Sequence, residues 1–212
     1  MILYDYPLSS ASYRVRIGLA LKGIVVSVVS KRLRENEHQA GDYLALNPQG
    51  FVPALALDDQ VTVLTQSLAI LEYLEEMHPE PALLPRAPAA RAHVRALCQL
   101  IACDVHPLNN LRVLRYLERD LALGAEARTR WYGHWVTAGL TAFEAFLQRA
   151  PARYCCGDTP TLADVCLVPQ VFNARRFAVD LSPFPRVVAV DAACALLPAF
   201  ARAAPHQASS TR

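Results

Sequence analysis

Three short stretches of this 212-residue chain put polar groups where a reaction or a small ligand could use them. The first is Ser9-Ser10-Ala11-Ser12, between a strand-like run and a helical run. A helix N-terminus leaves its first N–H groups without intrahelical partners and carries the positive end of the helix dipole. Hydroxyls there can donate to an anion, a thiolate or a carboxylate, or can serve only as helix caps. The second is Gln66-Ser67, at another helix start, where a hydroxyl and a backbone N–H can hold a carboxylate. A cap alone is again the plain alternative. The third is Val52-Pro53. A proline opening an edge strand can be cis, and the backbone before it can pair antiparallel with a peptide-like ligand.

The charges narrow the field. Of 21 basic residues only Lys22 and Lys31 are lysines, so 19 are arginines, the side chain of two-pronged carboxylate and phosphate recognition. A formal charge of +2 and the absence of any Lys/Arg run of five argue against nucleic acid. Many arginines stand among acids, as Arg115, Glu118, Arg119 and Asp120 do, and read as solvated surface. Arg14 and Arg16, beside the serines, read as structural ion-pair or interface residues. No apolar run reaches 18 residues, which argues against a membrane span. The start, MILYDYPLSS, does not read as a secretory signal. A cytoplasmic location follows, and with it reduced thiols for Cys98, Cys103, Cys155, Cys156, Cys166 and Cys194. Their spacing makes neither a CxxC pair nor a zinc knuckle, so no metal is expected and any catalytic sulfur must come from elsewhere.

The elements that must position these groups follow from periodicity. Ile2 to Tyr6 alternates as a strand, stopped by Pro7. The helix after the serines runs to Lys22 and stops at Gly23. Ile24 to Ser30 is β-branched and short, a second strand, parallel to the first by a right-handed crossover. Val52–Leu57 and Val61–Leu64 read as a hairpin around Asp58-Asp59-Gln60, followed by an amphipathic helix with Ser67 near its cap. Pro79 to Pro88 holds four prolines and reads as a linker. Beyond it, residues 89–121 and 126–149 are helical, Thr161-Leu162-Ala163-Asp164 has capping-box form, and Pro185 to Phe200 gives a last helix. The tail PHQASSTR is polar and expected to fray. An α/β domain over residues 1–80 and an all-helical domain over 88–212 result.

Together the three stretches have the spacing of the glutathione transferase superfamily, and the N-terminal order resembles its thioredoxin-like domain. SSASYRVRIGLALKG is similar to the zeta-class signature, where SSCS usually opens the block. NPQGFVPAL and LTQSLAILEYLEE resemble two further zeta-class blocks, and CDVHPLNNLRVLRYL and GDTPTLADVCLVPQVFNARRF resemble its helical domain. The resemblance runs over residues 1–200. It implies glutathione as cofactor and Ser9 as the hydroxyl that hydrogen-bonds its sulfur, with Ser10 in a similar or supporting role. It implies Val52 against the cysteinyl backbone, Gln66 and Ser67 at the γ-glutamyl end, and His38 near the glycyl end. Asp104, His106, Asn110 and Arg112 would border the site, with His106 equally readable as part of a helix bend. Arg176 and Arg112 would hold the carboxylates of a dicarboxylate substrate. Two positions depart from the pattern: Leu8 stands where relatives often have arginine, and Ala11 stands where they have cysteine.

The activity implied is glutathione-dependent cis–trans isomerisation of maleylacetoacetate in aromatic catabolism, by reversible thiolate addition and rotation about the temporary single bond. Maleylpyruvate is the alternative substrate, and Leu8 bears on the choice. Rival readings are a general glutathione transferase, which would leave a stable conjugate, and a non-catalytic binding module, against which the serines count. The first-helix position has no cysteine, which disfavours a thiol–disulfide oxidoreductase. Tyr4 or Tyr6 could replace serine as thiolate partner, although strand alternation sends one of them into the core. The resemblance also implies a homodimer, for which residues 89–121 offer a surface.

Overall fold

The computed structural model describes residues 1–59 and 61–205, so the tail expected to fray lies, from His206 on, outside the described residues. The order is β1 (Ile2–Asp5), α1 (Ser10–Lys22), β2 (Ser27–Ser30), two 3₁₀ turns (Leu33–Glu35 and Glu37–Gln39), α2 (Gly41–Leu46), β3 (Ala54–Ala56), β4 (Val63–Thr65) and α3 (Ser67–Met77). Then come α4 (Pro88–Gln99), a π-helical turn (Leu100–Val105), a 3₁₀ turn (His106–Asn109), α5 (Leu111–Arg119), α6 (Ala125–Arg149), α7 (Leu162–Arg176), α8 (Pro185–Ala195) and α9 (Pro198–Ala203). The chain divides into Met1–Ala82 with the residues from Leu197, and Leu83–Leu196.

In the first unit the strands form one mixed sheet in the order β2-β1-β3-β4. β1 runs parallel to β2, with Leu3 opposite Val28, and antiparallel to β3, with Leu3 opposite Leu55. β3 is antiparallel to β4, with Leu55 opposite Leu64. Leu3 and Leu55 bury one face of the sheet against Val15 and Leu19 of α1 and Ile70 and Leu74 of α3. The two helices approach closely because Gly18 faces Leu71; a Cβ there would collide with the leucine Cδ2. α1 stops as its sequence dictates. Gly23 takes a left-handed conformation (φ 68°), and Ile24 N–H returns to the Leu19 carbonyl at 2.9 Å. Strands are shorter than the apolar runs that mark them. β3 starts only at Ala54, since Pro53 has no N–H for the ladder.

The far end of the chain belongs to this unit as well. Leu197 leaves the helical conformation (φ −85°, ψ 127°) and Pro198 opens a new helix. The single helix expected over residues 185–200 is therefore two, α8 and α9. Arg16 Nε donates to the Ala203 carbonyl at 3.0 Å, which ties α9 to α1. The helical domain expected over 88–212 thus gives up its last described residues to the first unit.

The second unit is helical apart from a bridge between Tyr154 and Gly157 among its described residues. The run expected over 89–121 is broken. Pro107 cannot donate a helical hydrogen bond, and Asn110 caps a fresh helix by accepting from Val113 N–H at 3.1 Å. Close packing holds the break. A Cβ on Gly139 of α6 would collide with Val105 in the π turn. The capping box at α7 is present. Buried Asp164 accepts from Thr161 N–H (2.8 Å), Thr161 Oγ–H (3.0 Å) and Cys155 N–H (2.8 Å). Glu144 of α6 caps α8 in the same manner, accepting from the N–H groups of Arg186 and Val187 at 3.0 and 2.9 Å.

Candidate functional site

Register in the sheet gathers the three polar stretches. Tyr4, Ala54 and Thr65 stand side by side across β1, β3 and β4, so the C-terminal ends of β1 and β4 and the start of β3 lie at one edge. Ser9 follows β1, Val52 precedes β3, and Gln66 and Ser67 follow β4. All four leave from that edge.

Ser9 is the N-cap of α1, half-buried, and its Oγ accepts from Ser12 N–H at 3.2 Å. A hydroxyl carries one donor and two acceptor sites, so this cap leaves the Ser9 hydrogen for another acceptor. Ser10 begins the helix with its side chain buried. Tyr4 and Tyr6 pack against the cluster of Tyr43, Val52 and Ala54, and the Tyr4 ring lies 5.6 Å from that of Tyr43.

Ser67 begins α3 and is buried; Gln66 before it has φ 67° and ψ 118°. That conformation is strained for a side chain with a Cβ and persists only where the surroundings impose it. A hydrogen bond of 2.8 Å from Gln66 Nε2 to Gln49 Oε1 ties this turn to the loop before Val52. That loop is braced throughout. Tyr43 Oη–H and Asn47 Nδ2–H both donate to the Phe51 carbonyl, at 2.6 and 2.8 Å, and Gln39 Nε2–H donates to the Gly50 carbonyl. Burial pushes the Tyr43 hydroxyl up to about 12, so it remains a donor. The Val52–Pro53 peptide is cis. His38 sits on the 3₁₀ turn beside this loop, its carbonyl oxygen 3.0 Å from where a Gly50 Cβ would stand. Gly50 itself has φ 60°.

Beneath Ser67 lies Arg14 of α1, 1% exposed, whose Nη1–H donates to Ser67 Oγ at 3.2 Å. The sequence does not foretell this contact, which spans 53 positions. The only local hint was a guanidinium on the mainly buried side of α1. Arg16 instead pairs with Asp5 at 2.6 Å, the structural role expected of it.

The remaining candidates lie in the second unit. Asp104 is exposed in the π turn and His106 opens the 3₁₀ turn. Asn110 is the cap of α5, and Arg112 follows it, exposed. Arg175 and Arg176 end α7 and part company there. Arg175 pairs with Asp191 at 2.5 Å, whereas Arg176 has no ion pair among the described residues. The Arg176 guanidinium lies over the Phe177 ring at 5.4 Å, and that ring stacks on Tyr132 at 3.9 Å. None of the six cysteines is in a disulfide. Burial raises the Cys155, Cys156 and Cys194 thiols, Cys156 to about 11, so these are poor nucleophiles.

The first unit therefore offers two helix starts, one with an available hydroxyl at Ser9 and one with a buried hydroxyl at Ser67, and the cis Val52–Pro53 peptide beside them. This donor set fits a short peptide with an anionic sulfur and a terminal carboxylate. The thioredoxin-like sheet with its helical companion unit defines the class. The chain belongs to the glutathione transferase family, and within it to the zeta class. Residues 8–77 match the glutathione S-transferase N-terminal domain. The chain is 50% identical to a maleylpyruvate isomerase of a Ralstonia species, over 97% of both chains. A solved holo structure of a maleylpyruvate isomerase, described as a bacterial zeta-class transferase, superposes with a TM-score of 0.93 at 50% identity over 97% of both chains. A maleylacetoacetate isomerase from Methylobacterium extorquens AM1, solved with malonate and glutathione bound, superposes with a TM-score of 0.94 at 39% identity, over 97% of this chain and 96% of that one.

Proposed function

We propose that this chain is a glutathione-dependent cis–trans isomerase of maleyl-type dicarboxylates, maleylacetoacetate first and maleylpyruvate as the alternative that its 50% identical relative favours. The observation that carries the reading is the Ser9 hydroxyl, held at a helix start with its oxygen engaged by Ser12 and its hydrogen available. When bound, glutathione supplies a thiolate able to add reversibly to the conjugated double bond.

Ser9 donates its hydrogen to the sulfur and, with the positive end of α1, favours the ionised form. Buried Ser10 supports that turn. Val52 meets the cysteinyl backbone, His38 lies toward the glycyl end, and Gln66 and Ser67 receive the γ-glutamyl carboxylate at the N-terminus of α3. Asp104, His106 and Asn110 take the bordering roles that the family resemblance implies for them. Arg176 grips a substrate carboxylate with its fork, its partner arginine being spent on Asp191. Arg112 takes the other carboxylate. Malonate bound in the Methylobacterium relative supports a dicarboxylate substrate.

The test offers maleylacetoacetate and maleylpyruvate separately, with and without glutathione. Isomerisation with glutathione returned intact supports the reading, and the ratio of kcat/KM values names the substrate. A stable conjugate as sole product refutes it in favour of a general transferase. The chain acts as a cytoplasmic homodimer in this reading. Six cysteines without a disulfide accord with a reducing compartment, and no described helix is long and apolar enough to cross a membrane. Sedimentation should give twice the 23.3 kDa chain mass.

A further inference from the structure

The guanidinium of Arg14 is enclosed by protein, at 1% exposure, and its Nη1–H reaches Ser67 Oγ at 3.2 Å. Ser67 is itself buried at the first position of α3, among N–H groups that have no helical partner. An oxygen that accepts from a guanidinium cannot aim its own hydrogen at it. The Ser67 hydrogen is thereby turned away from Arg14. The guanidinium stays charged at any working pH, and inside the protein its field is screened far less than in water.

We propose that Arg14 is a positioning residue for glutathione, acting through Ser67: it orients the Ser67 hydroxyl as a donor and adds a buried positive charge behind the γ-glutamyl carboxylate. The inference rests on the reading that this carboxylate docks at Ser67. Two residues of the α1 segment thus serve two groups of one ligand, Ser9 the sulfur by direct donation at the helix start and Arg14, one turn further along, the γ-glutamyl carboxylate through Ser67. Arg16, two positions on, is tied to Asp5 and Ala203 and takes no part.

The test compares glutathione with cysteinylglycine, which lacks the γ-glutamyl group. Calorimetric titrations would use the full-length wild type, Arg14→Lys, Arg14→Met, Ser67→Ala and the double variant Arg14→Met/Ser67→Ala. Arg14→Met should weaken glutathione about tenfold, the order of one hydrogen bond to a charged group, and leave cysteinylglycine binding unchanged. In turnover the loss should fall on KM for glutathione and not on kcat. Arg14→Lys keeps the charge but loses the fork, and should lie between the wild type and Arg14→Met. The double variant should bind glutathione more weakly than Ser67→Ala alone by a smaller factor than Arg14→Met costs the wild type, because only the charge, and not the orientation of the Ser67 hydroxyl, is left to lose. Equal losses for both ligands, or losses that multiply in the double variant, overturn the inference while leaving the docking site standing. Wild-type glutathione affinity in Ser67→Ala overturns the docking itself. Should the Arg14 variants not fold, nitrogen NMR of the wild-type arginine side chains decides. The Arg14 signals should move with glutathione and stay with cysteinylglycine; signals unmoved by both, or moved alike, overturn the proposal.

Discussion

Replacing Ser9 by alanine removes two different things, and the structure separates them. The first is the cap. Ser9 Oγ accepts from Ser12 N–H at 3.2 Å, and losing such a cap costs about 1 kcal/mol. In a chain of this size that lowers Tm by about 3 °C. The second, on the proposed role of Ser9, is a hydrogen bond to the sulfur of bound glutathione. A hydrogen bond to a charged group contributes about 1.5–3 kcal/mol, and each 1.36 kcal/mol corresponds to one pKa unit, so the bound thiol should rise by about one to two. The direction fixes the pH dependence. With the thiol pKa raised, the thiolate fraction falls about 10- to 100-fold at pH values below the wild-type pKa, and it recovers as pH climbs through the new value. The assay has two arms. Thiolate absorbance of the glutathione complex gives the thiol pKa in wild type and Ser9→Ala. Isomerisation rates at saturating glutathione, followed against pH, should show a defect that is deepest at low pH and fades at high pH. An unchanged thiol pKa, or a rate loss equal at every pH, refutes Ser9 as the thiolate donor even if Tm falls as expected.

Arg176→Ala should raise KM for the dicarboxylate at least tenfold, the order of one lost charged hydrogen bond, while calorimetry shows glutathione affinity unchanged; equal loss of both would assign Arg176 to structure. Asp164→Ala strips two buried N–H groups of their acceptor at about 1–3 kcal/mol each, so denaturant titration should show a loss of about 4 kcal/mol, and a loss under 1 refutes that account. Gly18→Ala forces the added methyl into Leu71 and should destabilise by about 1–3 kcal/mol, read as a drop in Tm. Burial raises the Asp191 carboxyl above its ordinary value despite its Arg175 partner. The folded chain then holds that proton more tightly than the unfolded chain. The stability advantage of wild type over Asp191→Asn should therefore shrink as pH rises from the ordinary carboxylate range through the raised value. An advantage that grows over that window overturns the sign.

Local signals carried most of the first unit. The hydroxyl cluster, the β-branched runs and the glycine stop each act within a few residues, and Ser9, Gly23 and Ser67 take the places their types suggest. Thr161 and Asp164 likewise form their box because both partners lie within one turn. What the sequence did not disclose depends on distant partners. The left-handed Gln66 is held by a turn that also bonds Gln49. Arg14 finds Ser67 53 positions away, and Arg16 finds Ala203 187 positions away. The helix break at 100–110 shows the same limit. Pro107 announces some interruption, but the π turn owes its place to Val105 wedged against Gly139 of another helix.

The return of α9 to α1 has a consequence for biosynthesis. Residues 1–82 leave the ribosome with their sheet and three helices in sequence, yet the surface of α1 that meets α9 stays bare until residues 198–203 emerge. Domains usually complete themselves in the order they are made; here the first begun is among the last finished. A nascent chain stalled before Leu197 would carry an unfinished glutathione-binding unit, and a stop codon just before Pro198 would strike the unit built on residues 1–82 and leave the second unit whole.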